Sequence, residues 1–209
     1  MKRVLLLLAD GFEPLEAAGF TDVLGWANID GSEAIEVVNA GLRSPLQSTF
    51  GLQVTPQKLL ADLDLDTFDA LAIPGGFEGA GFYKDAYNDE FLSAITHFEK
   101  VGKPVASVCV ASLSLGKAGV INGRRATVYH QVGGKRKAEL EAYGAHFIDN
   151  AVVKDKNIIT STGPGTGVEV AFQLLEDLTS AENSQHIRKL MRMPDVSENW
   201  LKTPQVSAQ

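Results

Sequence analysis

The sequence predicts an α/β protein built on a largely parallel sheet. Short β-branched or Leu-rich runs alternate with longer amphipathic runs, the pattern of strand–helix–strand units. The apolar runs are nearly continuous rather than alternating, as in strands covered on both faces. The chain has 209 residues, 44% hydrophobic, 22% charged and 8% aromatic, which is ordinary globular composition and enough to bury one core without disulfides.

The elements follow in order. Residues 4–9 form the first strand, and after a turn at Asp10 and Gly11 the spacing of Leu15, Ala18, Gly19, Val23 and Trp26 gives a helix. Pro14 suits its first turn, where a missing N–H costs nothing. Residues 35–38 are the second strand, and residues 46–54, with Gly51 inside, are a short hairpin or edge excursion. Residues 70–73 are a buried strand ending in Pro74, Gly75 and Gly76. Phe91, Leu92, Ile95 and Phe98 mark an amphipathic helix closed by Gly102. Residues 104–108 form a strand running directly into Cys109 and then a small-residue helix ending at Gly119. Residues 126–129 make a strand that ends at His130, expected beside the Cys109 strand. A charged helix spans residues 135–143, a strand spans 157–160 and leads into Gly163-Pro164-Gly165-Thr166-Gly167, and the last core helix covers 168–178. From about Ser180 the sequence turns polar and irregular, so residues 1–180 are expected as the domain and 181–209 as a tail or surface extension.

Composition also excludes classes of function. With 19 Lys and Arg against 26 Asp and Glu, the formal net charge is −7, so neither nucleic acid nor an anionic membrane is an expected partner. One Cys allows neither an intramolecular disulfide nor a CxxC metal site, which fits a reducing, cytoplasmic compartment. The start, MKRVLLLLADGFEP, mimics a signal peptide, but its apolar stretch is short and meets Asp10, Glu13 and Glu16 at once. His97, His130, His146 and His186 show no metal-ligand spacing, and no cofactor or metal is expected.

In open α/β sheets ligands bind at the carboxyl ends of the strands. The Pro74-Gly75-Gly76 loop, the Cys109 turn and the Gly163-Pro164-Gly165 loop all belong there. A thiol between a strand end and a helix start has its thiolate stabilised by the helix dipole and unpaired backbone donors, which makes Cys109 a candidate nucleophile. Flanked by Val108 and Val110, it reads alternatively as a small buried hydrophobe. His130 is placed to exchange a proton with the thiol or a substrate oxygen, or to be a surface or capping His. Glu16 can point back over the strand ends, where a protonated carboxyl would donate to sulfur, or be a solvated helix charge. Phe12, Phe50, Phe77 and Phe82 can wall the pocket, be plain core or make an oligomer contact, Phe50 above all.

The ordered set PGG, SVCVAS, ATVYH and STGPGT resembles the DJ-1/PfpI superfamily over roughly residues 1–180. The resemblance implies a flavodoxin-like three-layer sandwich of the class I glutamine amidotransferase-like kind, usually a homodimer, with Cys109 as nucleophile on a strained elbow. It puts the family's acidic helix residue on Glu16, its histidine on His130, and oxyanion-type donors on the N–H groups of Gly76 and Val110, with Gly75 beside them. Val110 stands where PfpI-type proteases carry His, which weakens a protease reading. The N-terminal ADGFEPLEA looks like the DJ-1, ThiJ and YajL-type branch, whereas the run after Cys109 is similar to isonitrile hydratase-like proteins. No Asp or Glu is placed by motif to orient His130. The leading expectation is a cofactor-free cysteine enzyme acting on small reactive carbonyls, a glyoxalase III or deglycase-like stress protein. The alternatives are a redox sensor whose Cys109 becomes a sulfinate, and an isonitrile hydratase-like hydro-lyase.

Overall fold

The computed structural model describes residues 1–208. The chain runs β1 (Lys2–Leu8), α1 (Pro14–Asp30), β2 (Ile35–Gly41), the short strands β3 (Leu46–Gln47), β4 (Gln53–Val54) and β5 (Lys58–Leu59), then β6 (Ala70–Ile73). Next come α2 (Phe82–Ala86), α3 (Asp89–Lys100), β7 (Val105–Ser107), α4 (Ala111–Lys117) and β8 (Arg125–Ala126). The last third holds α5 (Arg136–Ala142), β9 (His146–Phe147), β10 (Val152–Asp155), β11 (Ile158–Ser161), α6 (Gly167–Leu178) and α7 (Ala181–Leu190).

Seven strands form the main sheet in the order β10-β11-β7-β6-β1-β2-β5, and every pair is parallel except β10 with β11. β1 sits near the centre, pairing Val4 with Val37 on one side and Ala70 on the other. Both its faces are covered, so its Leu run is buried throughout, each such side chain contributing about 1.5–3 kcal/mol. Helices α1, α6 and α7 pack together as one layer and α3, α4 and α5 as the other. This is the expected flavodoxin-like three-layer sandwich with a mostly parallel sheet. Gly19 lets α6 approach α1 closely: a Cβ there would lie 2.8 Å from the carbonyl carbon of Gly167. That contact fixes the first turns of α1 over the sheet.

Several expectations need correction. The strand expected at residues 126–129 ends at Ala126 and does not join the main sheet; β8 pairs with β9 in a separate two-stranded sheet. Residues 127–131 run on without strand partners, and the Thr127 N–H is taken by the Thr160 hydroxyl at 2.9 Å. The segment expected to be irregular from Ser180 opens with α7, whose Ser180 side chain caps the helix and whose Ile187 is fully buried. β5, β10 and the single turn α2 carried no clear periodic signal.

Candidate active site

β6 and β7 lie side by side, so their carboxyl ends deliver Gly75 and Cys109 to one place. Past β7 the Val108 N–H donates to the Ile73 carbonyl (3.1 Å) and the Cys109 N–H to the Ser161 carbonyl (3.0 Å), while α4 starts at Ala111. Two neighbouring strands thus hold Cys109 at a φ of 60°, in the left-handed region. For a residue with a Cβ this conformation costs about 1–2 kcal/mol, sustained here by the surrounding hydrogen bonds. The thiol side chain is buried, with 6% exposure.

Glu16, on the first turn of α1, is fully buried and reaches the same point. Its Oε2 accepts from the Gly75 N–H at 2.5 Å, its Oε1 has no hydrogen-bond partner, and the carboxyl interacts with the Cys109 thiol beside it. Gly75 is wedged between the two: a Cβ there would lie 2.7 Å from the Val108 carbonyl oxygen and 3.0 Å from both Cys109 Cβ and Glu16 Oε2. Only glycine fits. Burial raises the Glu16 carboxyl to about 8, against the opposing pull of the Gly75 N–H and the thiol, so it is protonated at neutral pH. Burial, then the neighbouring Glu16, push the Cys109 thiol up, and the Val110 N–H pulls it down. The thiol depression expected from the strand-to-helix turn is therefore outweighed. One short helix start cannot offset complete burial beside a carboxyl group. Glu13, also buried, is raised by desolvation, and its Oε2 has no partner.

A cavity of about 540 Å³ opens over the thiol, walled by Gly76, Phe77, Cys109, Val110, Tyr129 and Pro164 together with Glu78, Lys135 and Arg136. Of the expected oxyanion donors, the Val110 N–H is directed at the sulfur. Gly76 lines the cavity, while the Gly75 N–H is spent on Glu16 and is not free to serve. Phe12 and Phe82 are core, Phe77 walls the cavity, and exposed Phe50 lies against it with ring centres 5.8 Å apart.

His130 is not in this cavity. Its Nδ1 lies 2.8 Å from the Val128 carbonyl, its Nε2 lies 3.1 Å from Asp149 Oδ1, and its ring stands edge-on to Phe147. So an acidic partner for His130 exists, supplied by Asp149, but His130 lines a second cavity of about 390 Å³ that shares Tyr129, Gln131 and Pro164 with the first. Tyr129 takes the cysteine side, its N–H donating to the Cys109 carbonyl at 3.4 Å. Among the described residues no cluster of three or more His, Cys, Asp or Glu could hold a metal ion. Gly163 and Gly165 line the second cavity, and Pro164 lines both.

Sequence reasoning also missed the C-terminal strap. The Ala151 N–H donates to Leu201, Val132 to Val206, and Ala208 back to Val132, at 2.7–2.9 Å. Trp200 and Val206 wall the second cavity, and Ala208 reaches the cysteine cavity.

A sequence model of the DJ-1/PfpI family matches residues 2–177, nearly the whole chain. The chain belongs to the DJ-1/PfpI family. It is 33% identical to protein dj-1beta of Drosophila melanogaster, over 90% of this chain and 95% of that one. The crystal structure of that relative superposes with a TM-score of 0.80, at 31% identity over 93% of this chain and 99% of the other. A deglycase of Thermococcus kodakarensis is 32% identical over 78% of this chain and 91% of its own, and an isonitrile hydratase of Pseudomonas putida is 31% identical over 69% and 59%. Within this DJ-1/PfpI frame the elbow cysteine and buried acid meet here, whereas the histidine that the resemblance assigned to the site lines the neighbouring cavity. No helix of the described residues is long and apolar enough to cross a membrane.

Proposed function

We propose that the protein is a cofactor-free, cysteine-dependent enzyme acting on small reactive carbonyls. The observation that carries this reading is the pairing of Cys109, which opens onto the cavity, with the fully buried carboxyl of Glu16. When the pair has lost one proton, the thiolate form with Glu16 still protonated is competent to react. Sulfur attacks the aldehyde carbon, the C=O π electrons move to oxygen, and the Glu16 proton follows them, giving a neutral hemithioacetal and a Glu16 carboxylate. The Val110 N–H beside the sulfur supports the oxygen as charge develops. The carboxylate is then the base available to move the C–H proton of an α-oxoaldehyde adduct to its neighbouring carbon, while the hydroxyl proton passes to that carbon's oxygen. Water releases the resulting thioester as a hydroxy acid, with no external oxidant. The deglycase relative supports this class of substrate.

Glutathione-free consumption of methylglyoxal with lactate detection tests it, comparing the protein with Cys109→Ala at matched circular dichroism. Turnover lost on substitution is expected; no turnover by the unsubstituted protein overturns the reading. A second reading is a redox sensor, favoured by the same geometry because a neutral Glu16 can donate to a sulfinate oxygen. Peroxide conversion of Cys109 without unfolding, in a protein inactive on carbonyls, selects it. Hydration of an isonitrile, suggested by the Pseudomonas putida relative, is the remaining alternative. The protein is further proposed to be a homodimer, with Phe50, 72% exposed, in the contact. Phe50→Asp then yields a monomer by analytical ultracentrifugation, and a monomer before substitution contradicts the proposal.

A further inference from the structure

One wall of the Cys109 cavity is charged, and hemithioacetal formation makes no use of it. Lys135 and Arg136 reach across the cavity to Glu78, whose Oε2 lies 3.1 Å from Lys135 Nζ and 2.7 Å from Arg136 Nη2. The two sides of this bridge differ in how firmly they are held. The Arg136 side chain is 18% exposed, donates from Nη1 to Glu139 at 2.9 Å and lies 5.1 Å over the Tyr83 ring. Its guanidinium is therefore oriented by contacts that do not involve Glu78. Glu78 has a side chain 56% exposed and stands on a one-turn 3₁₀ segment, Glu78–Ala80, with Gly79 beside it and Gly81 closing the turn. Arg136 is fixed, whereas Lys135, 61% exposed, and Glu78 are loose. Lys135 and Arg136 also hold the Glu78 carboxyl below its usual range, so it is fully charged at neutral pH.

The rest of the cavity does not compete for these cations. Glu16, beside Cys109, is fully buried and neutral, and Phe77 and Tyr129 wall the cavity. An exposed ion pair in water has little net worth, so a second carboxylate can replace that of Glu78 at small cost. The replacement gains the planar fork of an arginine already in position.

We propose that Glu78 stands in for a carboxylate of the substrate: the cavity takes an aldehyde that also bears a carboxylate, which displaces Glu78 from Arg136 and Lys135 while the carbonyl meets Cys109. The aldehyde half rests on the carbonyl reading above; the anion subsite does not.

Alkylation of the sole cysteine by iodoacetate and by iodoacetamide, followed by mass spectrometry, separates the two, because it requires no turnover. The readout is the ratio of the anionic to the neutral reagent's rate. Glu78→Gln is expected to raise that ratio about threefold to tenfold, and Arg136→Met to lower it about tenfold, both effects shrinking in high salt. Arg136 is packed on Tyr83, so the exposed Glu78 position decides the matter: a ratio unchanged or lowered in Glu78→Gln overturns the subsite. 4,5-Dioxopentanoate, an α-oxoaldehyde that also bears a carboxylate, consumed more efficiently than methylglyoxal supports the full proposal. A raised alkylation ratio with neither aldehyde consumed supports the anion subsite and overturns the carbonyl reading.

Discussion

Replacing Glu16 by Gln keeps the shape of the buried group and removes its charge, and two opposite effects follow. Folded Glu16 holds its proton up to about pH 8, against an ordinary value of 4.5. Between those values the folded protein binds more protons than the unfolded chain, so stability is full below about pH 4.5 and is lost as pH rises toward 8. At about 1.4 kcal/mol per unit the raised carboxyl corresponds to roughly 5 kcal/mol of lost stability, an order-of-magnitude figure. Urea denaturation at pH 5 and pH 8 measures it: the unsubstituted protein loses a few kcal/mol more than Glu16→Gln over that interval. The variant also presents an amide N–H to the sulfur where a carboxylate stood, because the amide oxygen remains bonded to the Gly75 N–H. The alkylation midpoint of Cys109 should then fall by about 1–2 units, the worth of one hydrogen bond to a charged group. Turnover should nonetheless drop about 10²- to 10⁴-fold, since Gln cannot carry the proton. Equal pH dependence of stability in the two proteins, or a thiol midpoint that does not fall, would refute a neutral Glu16 acting on Cys109.

Other consequences are equally open to measurement. Gly75→Ala pushes a methyl group against the Val108 carbonyl and Glu16 Oε2; thermal unfolding should register a loss of about 1–3 kcal/mol and alkylation a disturbed Cys109. His130→Ala leaves carbonyl turnover within about twofold, because its ring is paired with Asp149 and lies outside the cysteine cavity, whereas a proton-transferring histidine would cost about 10²-fold or more. Ala208→Pro deletes the N–H that closes the strap onto Val132 and should speed alkylation of Cys109 by a bulky maleimide more than by iodoacetamide, as read by mass spectrometry.

Much of this arrangement is legible in the sequence because it is local. The Leu-rich β1, the strand ending at Pro74-Gly75-Gly76 and the strand running into Cys109 announce themselves by apolar runs and punctuation, and parallel pairing then brings their ends together. Glu16 could be placed on α1 by spacing, but its burial depends on how closely Gly19 and Gly167 let two distant helices approach. Whether His130 or its neighbour Tyr129 meets the cysteine cavity depends on where the preceding strand ends. Period-two alternation assigns sides only while a strand lasts, and β8 ends at Ala126. The Asp149 partner and the strap lie 19 and about 75 residues from His130, in segments without periodicity, so only the folded chain reveals them.

The proposed chemistry turns on a bond between the Cys109 sulfur and a carbonyl carbon. Carbon-13 NMR of methylglyoxal labelled at its aldehyde carbon, mixed with the protein at neutral pH, observes that bond directly. A hemithioacetal resonance is expected, absent with Cys109→Ala. No such resonance, or one of equal strength in the variant, would contradict it.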